Sequence, residues 1–96
     1  MSIWVSLDTT VKKGRYEELL PFLQKNLPNV RGFSGALSVS IFYDEETNNF
    51  LLIEEWLSCE HHQNYIKFIS ENGVMEQLVA FMEGPPKVQY YSKLPI

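Results

Sequence analysis

Cysteine is nearly absent from this sequence: among 96 residues, Cys59 is the only one. A single thiol provides neither a disulfide framework nor a cysteine-based metal cluster. We therefore expect a protein of a reducing compartment, the cytoplasm. We expect Cys59 itself to be an inert thiol rather than a reactive one.

Long apolar runs are missing as well. No segment approaches the roughly 20 consecutive apolar residues that a bilayer-spanning helix needs. Residues 1–13 lack the basic leader and apolar run of an export signal. The sequence predicts a soluble, unexported protein with no membrane partner.

Positive charge is scarce. Lys and Arg number 8 against 12 Asp and Glu, which gives a net charge of −4 with the histidines neutral. A protein that binds a phosphate backbone needs a basic face. Nucleic acid is therefore not an expected partner.

Cofactor motifs are also missing. Gly32 and Gly35 do not form a dinucleotide-binding fingerprint, and no glycine-rich phosphate loop occurs in the chain. His61 and His62 are adjacent, and neighbouring residues of a helix point about 100° apart, so they do not readily bind one metal ion together. The sequence predicts no cofactor and no metal.

Apolar and aromatic residues, by contrast, are plentiful, at 45% and 14% of the chain. This composition is typical of a folded protein, and the length predicts one domain that spans residues 1–96. A chain of this size buries only about 60–65% of its unfolded surface. A second subunit would add to a thin core.

The most informative stretch is residues 50–65. Apolar side chains occupy both alternations of residues 50–57, which predicts a central strand covered on both faces. Ser58 offers a hydroxyl that caps the N-terminus of a helix. Four residues of that helix share one face turned toward the sheet: His62, Tyr65, Ile66 and Ile69. The spacing predicts that Trp56, His62 and Tyr65 meet at one strand-to-helix corner.

The alternation of apolar residues and their helical spacing also predict the secondary structure of the first half of the chain. Residues 2–7 form a first strand that ends at residues 8–10, and a hairpin turn at residues 44–49 joins a second strand, 36–43, to the central one. Pro28 closes the first helix, before a loop at residues 29–35, and Pro21 either kinks this helix or delays its start. The apolar stripe of this helix is Tyr16, Leu19, Leu20, Leu23 and Leu27.

After a break at residues 71–73, a third and short helix is predicted to end at Gly84. Its apolar residues are Val74, Met75, Leu78, Phe81 and Met82. Residues 87–92 form the last strand. The resulting order predicts an α+β fold, a ferredoxin-like split βαβ with a four-stranded antiparallel sheet and an extra short helix.

The second and third strands are apolar on both faces, although helices cover only one face of such a sheet. A monomer would therefore expose a large apolar surface. A two-fold homodimer whose sheets pack face to face removes that surface from water.

Several segments of the chain resemble the antibiotic biosynthesis monooxygenase (ABM) domain family. They are the first strand, the loop RGFSGALSV, the segment LLIEEW followed by Ser58, Glu60, His62 and Tyr65, and the closing GPPKVQYY. The resemblance implies a dimeric α/β barrel. Members of the family include cofactor-independent oxygenases of quinols and anthrones and haem-degrading enzymes.

Two departures from the family pattern bear on the reaction. Haem-degrading members use an Asn early in the chain and a His further along the helix, where this sequence has Leu7-Asp8 and Tyr65-Ile66. The resemblance therefore disfavours haem breakdown. Quinol-oxidising members often have a His near the position of Tyr65.

The function that we predict is cofactor-independent monooxygenation of a small aromatic, quinol- or anthrone-like substrate, with dioxygen as the second substrate. Such a site needs a base, donors that stabilise the substrate anion, and a dry cavity. His62 is the candidate base, and Tyr65 and Trp56 are candidate donors. The expected lining for a planar ligand is Phe33, Phe42, Phe68 and Phe81.

Alternatives stay open at this point. The same fold serves as a non-catalytic small-ligand binding or structural homodimer, or as the scaffold of another reaction such as isomerisation. Glu54 and Glu55 point to opposite faces of the central strand, so we expect at least one of them to be paired or at an interface, with Arg15 or Arg31 as a candidate partner. We favour a structural role for these carboxylates, with acid/base work as the alternative.

Overall fold

Seven elements follow one another in the computed structural model, which describes residues 1–96. They are β1 (Ile3–Thr10), α1 (Tyr16–Arg31), β2 (Ala36–Asp44), β3 (Asn49–Trp56), α2 (Cys59–Glu71), α3 (Val74–Val79) and β4 (Lys87–Tyr91). The strands form one antiparallel sheet in the order β2-β3-β1-β4. The predicted ferredoxin-like α+β plan, with β3 in the interior of the sheet and an extra short helix, is confirmed.

One face of this sheet carries the core. Along β3, burial alternates strictly, with Phe50, Leu52, Glu54 and Trp56 buried and the residues between them less so. The buried set packs with Leu19 and Val30 of α1 and with neighbours on β1 and β2. We call this side the helical face.

The other side of the sheet, here the open face, has no helix packed on it. Its large side chains are Trp4, Phe42, Leu51, Ile53 and Tyr91. Phe42 and Tyr91 are 53% and 49% exposed. The apolar second face that the sequence predicted is therefore present in the single chain.

Two element boundaries on the N-terminal side differ from the prediction. Strand β1 continues to Thr10, because residues 8–10 pair with β3 and bury Thr9. Helix α1 starts at Tyr16, as its apolar stripe predicted, and passes through Pro21 and Pro28 to Arg31. The prediction that Pro28 closes the helix was wrong, because the turn after it places Val30 in the core.

The prediction for α3 was also wrong at its C-terminal end. The helix ends at Val79, well before Gly84. Phe81 and Met82 leave the helix because the backbone there pairs with the end of β1. Lys12 N–H donates to the Phe81 carbonyl (2.8 Å), and Met82 bridges Val11. None of the three helices combines the length and the hydropathy that crossing a membrane would require.

Candidate functional site

The corner between β3 and α2 is fixed by local hydrogen bonds. Ser58 has extended backbone geometry, and its hydroxyl accepts from the His61 N–H (3.2 Å), as predicted for a helix cap. Leu57 N–H donates to the Gly35 carbonyl (2.8 Å), which ties the corner to the start of β2. Gly35 has a φ of +92°, and a Cβ there would lie 2.5 Å from the His61 ring. Only glycine fits this contact.

The corner brings together the three residues that the spacing grouped. The ring centroid of Trp56 lies 5.5 Å from that of His62 and 5.3 Å from that of Tyr65. Trp56 is fully buried, at 0% exposed, and His62 is 4% exposed. His62 and Tyr65 contact Trp56 because helix α2 begins directly after β3, and its first two turns pack against the end of that strand.

Glu54, for which the sequence favoured a structural role over acid/base work, contacts both Trp56 and His62. It lies on the helical face, 7% exposed, and its Oε1 accepts a hydrogen bond from Trp56 Nε1 (2.7 Å). The Nε2 atom of His62 is 3.9 Å from the same oxygen. Glu54 therefore forms the buried polar centre of the corner.

The expected arginine partners of the two glutamates are engaged elsewhere. Arg15 contacts Glu18 (3.2 Å), and Arg31 donates to the Val39 carbonyl (3.0 Å). Glu55, on the open face, accepts from the Ser2 hydroxyl (2.7 Å). Glu54 thus has no cationic partner, and the predicted ion pair was wrong.

Burial shifts the ionisation of each group at the corner. Desolvation raises the pKa of Glu54, and the Trp56 hydrogen bond offsets part of that rise. Desolvation lowers the pKa of His62 to about 4, so its imidazole is neutral at pH 7. Burial raises the pKa of Tyr65, and the nearby charge of Glu54 raises it further.

Tyr90 completes the group from strand β4. Its hydroxyl lies 2.8 Å from Nδ1 of His62, and the two rings meet edge to face. Burial raises the pKa of Tyr90, and Cys59 adds to this effect. The sequence placed Val88 and Tyr90 on one side of the last strand. It could not show that this side faces His62, because that depends on the pairing of β4 with β1.

These groups open onto a cavity of about 300 Å³ between the helical face of the sheet, α2 and α3, which we call the main cavity because the buried polar groups line it. A more open hollow of about 390 Å³ between α1 and strands β2 and β3 contains none of them. The walls of the main cavity are largely apolar: Val5, Leu7, Leu52, Tyr65, Ile66, Ile69, Met75, Leu78, Pro86 and Val88. Glu54, His62 and Tyr90 also line it. A smaller cavity of about 50 Å³ on the α1 side shares Glu54 and Tyr65.

The four phenylalanines expected to line a pocket do not line the main cavity. Phe33 packs edge-on against Trp56 and Tyr65, and Phe68 packs against Phe33. Phe42 is on the open face. Phe81 lies beside Phe22 and under Arg15. That prediction was wrong because amino-acid composition does not show which side of the sheet or helix a side chain faces.

Two further residues singled out in the sequence lie outside the cavity. His61 is bonded through Nδ1 to the Ser58 hydroxyl (2.7 Å). Cys59 is a free thiol that accepts from Gln63 Nε2 (3.4 Å). Nowhere in the chain do three His, Cys, Asp or Glu side chains cluster closely enough to hold a metal ion.

The lowered pKa of His62 predicts an acid-sensitive fold. Between pH 6.5 and pH 4 the unfolded chain binds a proton at this position and the folded chain does not, so stability falls as the pH falls. We expect His62 to account for a loss of about 3 kcal/mol in unfolding free energy from pH 7 to pH 4. Urea unfolding of wild type and His62→Gln, at one protein concentration and across this pH range, measures the contribution of His62. It is the difference between the two proteins in how far the free energy of unfolding falls from pH 7 to pH 4.

Glu54 acts in the opposite direction, because its pKa is raised in the fold and its stabilising proton is lost as the pH rises. This contribution is common to both proteins and cancels to first order. Equal slopes for wild type and His62→Gln would show that His62 is not buried as a neutral group.

The chain is thus a small α+β protein with a largely apolar cavity between its sheet and two of its helices. No family model matches the chain, and no curated protein matches it. Solved structures do match, and the chain has the fold of structures named antibiotic biosynthesis monooxygenase.

Three of the matching structures, only the first of them named a monooxygenase, show the extent of the likeness. A protein from Bordetella bronchiseptica, provisionally named an antibiotic biosynthesis monooxygenase, has a TM-score of 0.84 and 16% identity over 97% of both chains. A conserved protein from Methanosarcina mazei Go1 has a TM-score of 0.86 and 15% identity over 98% of this chain and 94% of its own. A Nitrosomonas europaea protein of unknown function has a TM-score of 0.76 and 17% identity over 99% and 95%. At such identities the likeness shows the fold alone.

Proposed function

We propose that this protein is a cofactor-independent monooxygenase that acts on a small aromatic, quinol- or anthrone-like substrate in the main cavity. The observation that carries the proposal is a largely apolar cavity of about 300 Å³ that holds a buried carboxylate and a neutral imidazole side by side. Similar structures that are named monooxygenases support it. We place the reaction in the cytoplasm, since the single free cysteine fits a reducing compartment.

The size and lining of the main cavity suit a planar aromatic ligand. Its volume is at the lower end of the range of about 300–1,000 Å³ for small-molecule sites. Leu52 on the sheet and Ile66 on α2 offer apolar walls, and the polar groups converge near Glu54. A ring bound there excludes water from the reacting carbon, which protects a reactive anion.

The reaction requires no external reductant. The substrate loses a proton to the protein, from the methylene of an anthrone or from the hydroxyl of its enol form or of a quinol, and the resulting anion passes one electron to dioxygen. The radical and superoxide combine into a peroxide anion, which takes the proton back. Loss of water then leaves a carbonyl, so one oxygen atom enters the product and the other becomes water.

The polar groups of the corner have distinct proposed roles in this reaction. The Glu54–His62 pair supplies the proton acceptor, and Tyr65 is a donor to the substrate anion. The Trp56 N–H is already bonded to Glu54, so we propose that Trp56 is a positioning residue.

Oxygen uptake by the metal-stripped protein with a panel of quinols and anthrones tests the function. We expect uptake well above the autoxidation of at least one substrate, and a loss of about 10²-fold in His62→Ala, which removes a member of the acceptor pair. His61→Ala is the matched control, because that adjacent histidine lies outside the cavity. Uptake no faster than autoxidation would contradict the proposal.

One observation favours a second candidate, a non-catalytic protein that binds a small ligand. An imidazole with a pKa of about 4 is a weak base, although it serves well as a hydrogen-bonding group in a binding site. This candidate predicts that a quinol or anthrone binds and is recovered unchanged. Binding without oxygen uptake would identify it.

We also propose that the protein forms a homodimer through the open face of the sheet. The exposed aromatic rings of Phe42 and Tyr91 support this, because such a surface is unfavourable in water. Trp4, also on the open face, has an Nε1 atom that is shielded from solvent and has no acceptor. A second sheet packed there would cover the rings and offer that N–H a partner.

A further inference from the structure

Glu54 is buried on the helical face, where a charged carboxylate is unfavourable, and no Lys or Arg offsets its charge. Its neighbours across the strands are Val5 on β1 and Val39 on β2. Isolated buried charges are strongly destabilising unless they are paired or hydrogen-bonded. No Lys or Arg forms a salt bridge with Glu54.

The two carboxylate oxygens of Glu54 differ in their surroundings. Oε1 accepts the Trp56 N–H at 2.7 Å. Oε2 accepts no hydrogen bond from the protein, yet the residue lines both the main cavity and the smaller one. Oε2 is not among the fully enclosed polar atoms that lack a partner, so it remains accessible at a cavity wall, where a free acceptor is suited to a donor on a ligand.

The geometry points to Glu54 as the catalytic base, with Oε2 binding the hydroxyl group of a neutral phenolic or enolic ligand. The base is thus assigned to one member of the proposed pair. The oxygen chemistry that follows deprotonation rests on the proposed function, whereas the binding of a hydroxyl by Oε2 does not.

The same arrangement selects against negatively charged ligands. No Lys or Arg lines the main cavity, so a carboxylate, sulfate or phosphate group would meet Glu54 with nothing to neutralise either charge. Like charges at close range in a poorly solvated site repel strongly. The ligand class is therefore a neutral aromatic hydroxyl compound.

The proton step conserves charge within the cavity. The ligand O–H bond breaks, its electron pair stays on the ligand oxygen, and the proton binds Oε2. The negative charge moves from Glu54 to the ligand, and the neutral His62 beside it does not have to change its ionisation. The raised pKa of Glu54 makes it a stronger base than an exposed carboxylate. Once the peroxide forms, the Glu54 carboxyl returns the proton to it.

Calorimetric titration with three probes of similar shape tests the inference: 2-naphthol, 2-methoxynaphthalene and 2-naphthoate. A hydrogen bond to a charged group contributes about 1.5–3 kcal/mol, so we expect wild type to bind naphthol at least about tenfold more tightly than its methyl ether. We expect no binding of naphthoate. In Glu54→Gln the preference for naphthol should largely disappear, whereas Glu55→Gln, altered on the opposite face of the same strand, should behave as wild type.

Equal affinities of wild type for naphthol and its methyl ether would overturn the inference, and that comparison requires no variant to fold. A naphthol preference that persists in Glu54→Gln would overturn it as well. The oxygen-uptake assay separates the two proposals. Uptake that Glu54→Gln leaves unchanged would refute Glu54 as the base and keep the monooxygenase. A Glu54-dependent naphthol preference without any uptake would do the reverse, refuting the oxygenase while keeping the hydroxyl site.

Discussion

Trp56→Ala is expected to lower the free energy of unfolding by about 3–5 kcal/mol, the usual cost of truncating a buried tryptophan. Trp56 is fully buried between Phe33, His62 and Tyr65. Its removal also takes away the N–H that Oε1 of Glu54 accepts. A carboxylate left without that donor adds to the loss. Because small domains have only about 5–15 kcal/mol of stability, the variant should be close to unfolding at room temperature.

Urea unfolding measures this loss, with Leu57→Ala as the matched control. Leu57 follows Trp56 directly in the chain and is half exposed, so its truncation should cost less than about 1 kcal/mol. Trp56→Phe keeps much of the ring volume and should be less destabilising than Trp56→Ala. A similar, small cost for Trp56→Ala and Leu57→Ala would contradict the position of Trp56 at the centre of the core.

Ile53→Glu is expected to dissociate the proposed homodimer. Ile53 lies on the open face in the interior strand β3, opposite Ser6 of β1 and Ser40 of β2. A two-fold interface centred there would bring two new carboxylates into an apolar contact between chains that already carry a net charge of −4 each. We expect the dissociation constant to rise by at least about 100-fold, which corresponds to about 2.7 kcal/mol.

Sedimentation at micromolar concentration reports the change in mass. Leu20→Glu provides the control, because it introduces the same charge at an exposed apolar residue of α1, away from the open face. That variant should remain dimeric. A monomeric wild type at these concentrations would contradict the dimer and leave the exposed rings of Phe42 and Tyr91 unexplained.

Local sequence patterns predicted the part of the candidate site that is formed by two consecutive elements, strand β3 and helix α2. The apolar residues of β3, the Ser58 cap and the spacing of His62 and Tyr65 all act within one strand-turn-helix segment. Such a segment has a fixed geometry once its elements are known. For this reason the meeting of Trp56 with the two helical residues could be inferred from the sequence alone.

The remainder depends on contacts between distant segments. Tyr90 reaches His62 only because β4 pairs with β1 in a particular register. Glu54 has no cationic partner, since both arginines contact other groups and no lysine forms a salt bridge with it. Helix α1 continues beyond Pro28 to Arg31, and this last turn buries Val30 in the core. Tertiary packing here overrides the local tendency of proline to end a helix. Residue spacing in a single sequence does not predict these contacts between distant segments.

The proposal as a whole depends on whether a bound aromatic substrate takes oxygen directly from dioxygen. The most direct measurement is mass spectrometry of the product after incubation of the metal-stripped protein with an anthrone under isotopically labelled dioxygen. Our account predicts that each product molecule gains one labelled oxygen atom at a rate well above autoxidation, and that Glu54→Gln loses most of this activity while Glu55→Gln retains it. Product that carries no label, or that forms equally fast without protein, would contradict the account.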